Sequence, residues 1–109
     1  KEIKMSIDVT EQTFEAEVLN VETPVVVDFG AKWCGPCRKL APVLDEIEST
    51  FEGKAKVVKV DADENRELMK NYSVSGLPSI LVFKNGEPVE RMAGLVPKST
   101  IISNVEKHL

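Results

Sequence analysis

The 109 residues carry 14 basic and 18 acidic side chains, for a net charge of −4, with 42% apolar and 29% charged residues. That size suits a single domain over residues 1–109, too short for two cores yet long enough to fold without cross-links, and the balance excludes a disordered chain and argues against nucleic acid as a partner. No apolar stretch reaches the roughly 18 residues needed to cross a bilayer, and Lys1-Glu2-Ile3-Lys4 lacks the long apolar segment of a signal peptide, so a cytoplasmic protein with no membrane partner is expected.

Residues 3–8 read as a first strand. Thr10 is placed to cap a helix over residues 11–20, with Phe14 and Val18 on one face. Val25-Val26-Val27-Asp28-Phe29 follows Pro24 as a near-continuous apolar run, the pattern of a central parallel strand covered on both faces. A second helix runs to Phe51. Its apolar residues Cys37, Leu40, Ala41, Leu44, Ile47 and Phe51 recur at helical spacing, Pro42 should kink it, and Gly53 ends the segment. Val57-Val58-Lys59-Val60 is a third strand, and Asp63 is placed to cap a short helix over residues 64–71. Ser79 to Phe83 is a strand, Asn85-Gly86 a tight turn, and Val89 to Ala93 the return strand of a hairpin. Pro97 opens a last helix with Ile101, Ile102, Val105 and Leu109 facing inward. The order βαβαβαββα implies an α/β fold whose early strands are parallel and whose hairpin makes the sheet mixed.

The chain has two cysteines, Cys34 and Cys37. A bridge between them closes almost no loop, so it would restrict the unfolded chain little. A small secreted domain usually spreads more cysteines along its length. The pair is therefore better suited to chemistry than to stapling. A closed zinc site needs four ligands, and the only other nitrogen or sulfur ligand is His108, read as a surface residue.

The species that attacks a disulfide is a thiolate, and it must be accessible. Cys34 falls between a strand end and a helix start, where unpaired N–H groups and the helix dipole favour an anion. Lys32 and Arg38 either add to this or are solvated charges. Attack by Cys34 gives a mixed disulfide. Cys37, one helical turn on, is within reach to resolve it. Lying on the buried stripe, Cys37 is expected to be the deeper thiol and protonated at rest. Gly35 and Pro36 fill the first helical turn, where the missing proline N–H costs little.

Asp28 and Lys59 interrupt apolar strands, and buried charges are costly unless paired. If the two strands are neighbours, the pair meets beneath the cysteines. A desolvated Asp28 has a raised pKa and can take the proton of Cys37, directly or through one water. The alternative is a purely structural pair, or two charges reaching solvent at strand ends. Pro78 begins a strand, where proline is tolerated; a cis Leu77–Pro78 bond is the functional reading, which the residues alone do not establish.

Val27-Asp28-Phe29, Ala31, Trp33-Cys34-Gly35-Pro36-Cys37, Ala41-Pro42, Lys59-Val60-Asp61, Gly76-Leu77-Pro78-Ser79, Phe83-Lys84-Asn85-Gly86 and Gly94 together resemble the thioredoxin family, from first strand to last helix. A lone C-x-x-C is a weak signal; W-C-G-P-C with an upstream aspartate and a downstream G-x-P is a strong one. The resemblance implies a thioredoxin fold, a central five-stranded mixed β-sheet flanked by four α-helices. It implies Cys34 as nucleophile, Cys37 as resolving thiol, Asp28 as the buried acid, Lys59 as its neighbour and Pro78 as a cis proline. It implies that Trp33, Gly76, Leu77, Pro78, Ala93 and Gly94 receive extended substrate segments, a patch whose main-chain groups beside Pro78 would pair with a peptide strand. The activity implied is protein-disulfide reduction by a monomer with no bound cofactor beyond the Cys34–Cys37 couple. Electrons would come from an NADPH-linked thioredoxin reductase, although ferredoxin-linked donors serve some relatives.

Two positions depart from the family pattern. Gly30 stands where an aromatic is usual, and Lys32 where an acid is common. Glycine weakens a strand by roughly 0.5–1 kcal/mol against alanine, and a looser wall is expected at Gly30. The competing readings are an oxidase or isomerase, which usually carries His before the second cysteine, and a non-catalytic adaptor, which would not need both thiols.

Overall fold

The fold is that of a computed structural model, which describes residues 7–109. Strand β1 (Ile7–Asp8) leads to a π-helical turn (Glu15–Leu19), then β2 (Val25–Gly30), α1 (Gly35–Thr50), β3 (Lys56–Asp61), α2 (Arg66–Asn71), β4 (Ser79–Lys84), β5 (Glu87–Ala93) and α3 (Lys98–Glu106). The expected start of β1 at residue 3 lies outside the described residues. The sheet order is β1-β3-β2-β4-β5, with β1, β3 and β2 parallel and β4 and β5 antiparallel. This is the five-stranded mixed sheet with four helical segments that the resemblance implied.

β2 is central because every residue from Val25 to Phe29 is buried. Its alternation divides the core. Val25, Val27 and Phe29 pack with Phe14, Val18, Val58, Leu81 and Phe83 on one face. Val26 packs on the other face with Leu40, Leu44 and Ile47 of α1, with Val57, Ile80 and Val82, and with Ile101 and Val105 of α3. Residues two apart on a strand share a face. Asp28 and Gly30 therefore lie on the α1 side with Val26, and Lys59 and Asp61 lie there with Val57. The hairpin turn is set by Asn85 (φ +54°) and Gly86 (φ +83°), two left-handed residues whose twist matches that of the flanking strands.

Four expectations fail on local detail. Thr10 does not cap a helix over 11–20: the Thr13 hydroxyl accepts the Thr10 N–H at 2.9 Å, and only Glu15–Leu19 is helical. A hydroxyl bonding nearby backbone competes with helix at that point. Asp63 does not cap α2, which starts later with Asn65 at its N-cap. Leu109 is 56% exposed, because α3 ends at Glu106 and the chain leaves the helical stripe. His108 is half-buried rather than a free surface residue, its Nε2 lying 2.8 Å from Glu90 Oε2.

Truncating Ile47, fully buried between α1 and the sheet, to alanine should cost about 2–5 kcal/mol in urea unfolding. A loss below about 1 kcal/mol would mean that α1 is not anchored by this face.

Candidate active site

β2 ends at Gly30 and α1 begins at Gly35, so Ala31 to Cys34 turn the chain from strand to helix. Cys34 is the N-cap residue, extended at φ −90° and ψ 112°. Its N–H donates to the Ala31 carbonyl at 3.2 Å, and its Sγ accepts the Cys37 N–H at 3.2 Å. A sulfur here fills the place that a serine or aspartate oxygen usually takes at a helix start. Pro36 occupies the first turn. The Cys34–Cys37 disulfide is closed, with Cα atoms 5.3 Å apart. The Arg38 guanidinium donates to the Lys32 carbonyl at 2.6 Å and pins the turn from outside.

The expected contrast of an exposed Cys34 over a deeper Cys37 is not seen in this oxidised state. Cys34 is 5% exposed and Cys37 9%. Bridging draws the sulfurs together, and Cys34 Sγ turns over the first helical turn to reach an amide. The asymmetry lies in hydrogen bonding: among the described residues, Cys34 Sγ accepts an amide N–H and Cys37 Sγ accepts none.

Strand register gathers the other named residues at the same end of the sheet. Gly30 pairs with Asp61, Phe29 with Ser79, and Ser79 with Ala93. The segment Gly76-Leu77-Pro78 enters β4 there, and Gly94 leaves β5 there. The Leu77–Pro78 bond is cis. The Gly94 N–H donates to the Pro78 carbonyl at 2.8 Å, and the Ser79 hydroxyl to the Gly76 carbonyl at 2.7 Å. Pro78's own carbonyl is thus occupied, whereas the main chain of Leu77 makes no hydrogen bond among the described residues. Trp33 is 67% exposed, yet its indole N–H donates to Asp63 Oδ2 at 2.8 Å. Asp63 is the residue that pattern reasoning missed, since an aspartate before a helix reads locally as a cap.

Asp28 and Lys59 are paired in register on the α1 face. Asp28 is 6% exposed, and among the described residues its Oδ1 accepts no hydrogen bond. Among the described residues the two do not close to an ion pair, so burial dominates. Desolvation pushes the Asp28 pKa up to about 6, and the Lys59 charge pulls it only partly back. Beside them is a cavity of about 490 Å³, lined by Asp28, Gly30, Cys37, Ala41 and Lys59 among others. A Cβ at Gly30 would stand 3.3 Å from Cys37 Sγ and 3.9 Å from Asp28 Oδ1. The 3.3 Å approach is a close one, so Gly30 admits the Cys37 side chain against β2.

The sequence profile of the Thioredoxin family matches residues 5–107. The chain belongs to the thioredoxin family. It is 50% identical over 101 residues to "Thioredoxin 1" of Nostoc sp., covering 93% of this chain and 94% of that protein. It is 48% identical over 101 residues to "Thioredoxin" of Synechocystis sp., with the same coverage, and 43% identical over 107 residues to "Thioredoxin M-type, chloroplastic" of Spinacia oleracea, covering 98% of this chain and 59% of that protein. The chain is accordingly a thiol–disulfide oxidoreductase whose redox centre is the Cys34–Cys37 bridge.

A buried acid with a raised pKa makes a definite demand on stability. Between the unfolded value near 3.8 and the folded value of about 6 the native state holds the extra proton, so stability is greatest below that window and falls as pH rises through it. The difference corresponds to about 3 kcal/mol. Oxidised wild-type protein should lose stability of that order between pH 4 and pH 7 relative to Asp28→Asn, measured by urea unfolding at each pH. Parallel curves for the two proteins would show that Asp28 is not desolvated.

Proposed function

We propose that the chain, one domain over residues 1–109, is a protein-disulfide reductase in which Cys34 attacks and Cys37 resolves. The observation that carries this reading is the Cys37 N–H directed at Cys34 Sγ on the α1 N-cap. In the reduced protein the same amide and the helix dipole favour a thiolate on Cys34. The thiolate attacks one sulfur of a substrate disulfide and expels the other as a thiolate. Asp28 takes the proton of Cys37, whose thiolate then attacks Cys34 Sγ and expels the second substrate thiolate. The substrate gains two electrons and the Cys34–Cys37 dithiol becomes the bridge. Lys59 tempers the charge on Asp28. Gly35 and Pro36 shape the turn that presents Cys34.

Substrate segments lie along Trp33, Gly76, Leu77, Pro78, Ala93 and Gly94. The unengaged N–H and C=O of Leu77 supply the pairing that an extended peptide needs. The same exposed end of the sheet meets the electron donor. An NADPH-linked thioredoxin reductase is the proposed donor, acting on a monomer in the cytoplasm with no cofactor beyond the dithiol. Two closely spaced cysteines suit a reducing compartment. Coupled turnover with that reductase, set against a ferredoxin-linked one, decides the donor.

Two measurements test the reading. Cys37→Ser should accumulate mixed disulfides through Cys34, whereas Cys34→Ser should trap almost none; trapping mainly through Cys37 would invert the roles. The equilibrium potential against glutathione should lie near the thioredoxin value of about −270 mV, and a value of about −120 to −180 mV would make the protein an oxidase or isomerase.

A further inference from the structure

A cross-strand row on the α1 face runs from solvent to the interior: Asp8 of β1 pairs with Lys59 of β3, and Lys59 pairs with Asp28 of β2. Asp8 is exposed, Lys59 half-buried and Asp28 buried. All three line the cavity that Gly30 and Cys37 also line. The cavity's volume of about 490 Å³ is many times the ~30 Å³ that a water molecule occupies in the liquid. Its lining includes a carboxylate oxygen that accepts no hydrogen bond among the described residues, on a residue more than nine-tenths buried. The ideal Cβ position on Gly30 lies 3.9 Å from that oxygen and 3.3 Å from Cys37 Sγ. Glycine here is not required by the backbone, which is ordinary strand. What it supplies is a close approach of Cys37 to β2, and any side chain longer than a methyl would have to enter the cavity that Gly30 lines.

We propose that Gly30 is a positioning residue that keeps a hydrated passage open from the Asp8 rim to Asp28 and Cys37, through which the proton released in the resolving step leaves the site. The inference rests on Asp28 acting as the base. Cys37 S–H breaks as Asp28 O–H forms, and the Cys37 thiolate displaces substrate thiolate from Cys34. The Asp28 proton then passes to water in the passage and out to bulk, where a thiolate or buffer takes it up. The other charged groups facing the passage are Asp61 of β3, Arg38 of α1, and Lys32 and Glu64 from the connecting loops. Among the described residues, the Lys59 charge lowers the Asp28 pKa against its burial.

The test follows the two steps separately by stopped flow, using a chromogenic aryl disulfide that releases one thiolate on attack by Cys34 and the other on resolution by Cys37. Gly30→Leu fills the passage from β2, and Ala41→Leu fills it from α1. Both should slow resolution by about tenfold, less than the ~10²-fold or more that a positioned base supplies, since Asp28 itself is retained, with the Cys34 step unchanged. In the unaltered protein, imidazole should accelerate resolution in proportion to its concentration, and a bulky tertiary amine of matched basicity should not. Slowing confined to one variant would report displacement of Cys37 and overturn the passage, as would wild-type rates in both or equal acceleration by the two bases. Asp28→Asn separates the levels. If it resolves at the wild-type rate, the base reading itself fails; if it is slow while both filled variants are fast, only the passage fails.

Discussion

The hydrogen bond from the Cys37 amide to Cys34 Sγ exists because a central strand ends where a helix begins. The first N–H groups of any helix lack partners within it. Here a sulfur takes one of them, so the residue that caps α1 is also one half of the redox bridge. The anchoring is mechanical as well as electrostatic. Leu40, Leu44 and Ile47 fix α1 against the sheet, and the Arg38–Lys32 contact holds the turn. If α1 tilted, the amide would leave the sulfur and the two cysteines would lose their difference.

Beneath this cap the sheet carries a graded polar row instead of an apolar one. Asp8, Lys59 and Asp28 occupy consecutive strands in register, and the row continues into Ile80 and Met92 of the core. The strands that build the fold thus carry a buried acid to the cavity that Cys37 also lines. That acid is held at a cost in stability, since burial raises its pKa and Lys59 offsets the burial only in part. A group tuned to about pH 6 can accept a proton and return it at neutral pH.

Much of this was legible in the residues. The apolar run of β2, the helical stripe from Cys37 to Phe51 and the Asn85-Gly86 turn are short-range patterns, and the fold follows them. Asp28 and Lys59 stood out because a charge inside a buried strand needs a reason, and register supplied the meeting. Other features depend on contacts between distant segments. Asp63 looks like a helix cap until Trp33, thirty residues away, is seen to bond it. That Cys34 is as deeply buried as Cys37 depends on what packs around the bridge, which spacing alone does not convey. The space beside Gly30 follows from what packs opposite a missing side chain.

The central claim is that the helix start makes the two thiols unequal once the bridge is reduced. Site-resolved titration of the reduced protein, by pH-dependent alkylation with mass-spectrometric readout of each cysteine, addresses it directly. Cys34 should ionise well below the ~8.5 of a free thiol and Cys37 above it. Two thiols titrating together at the free value would contradict the account.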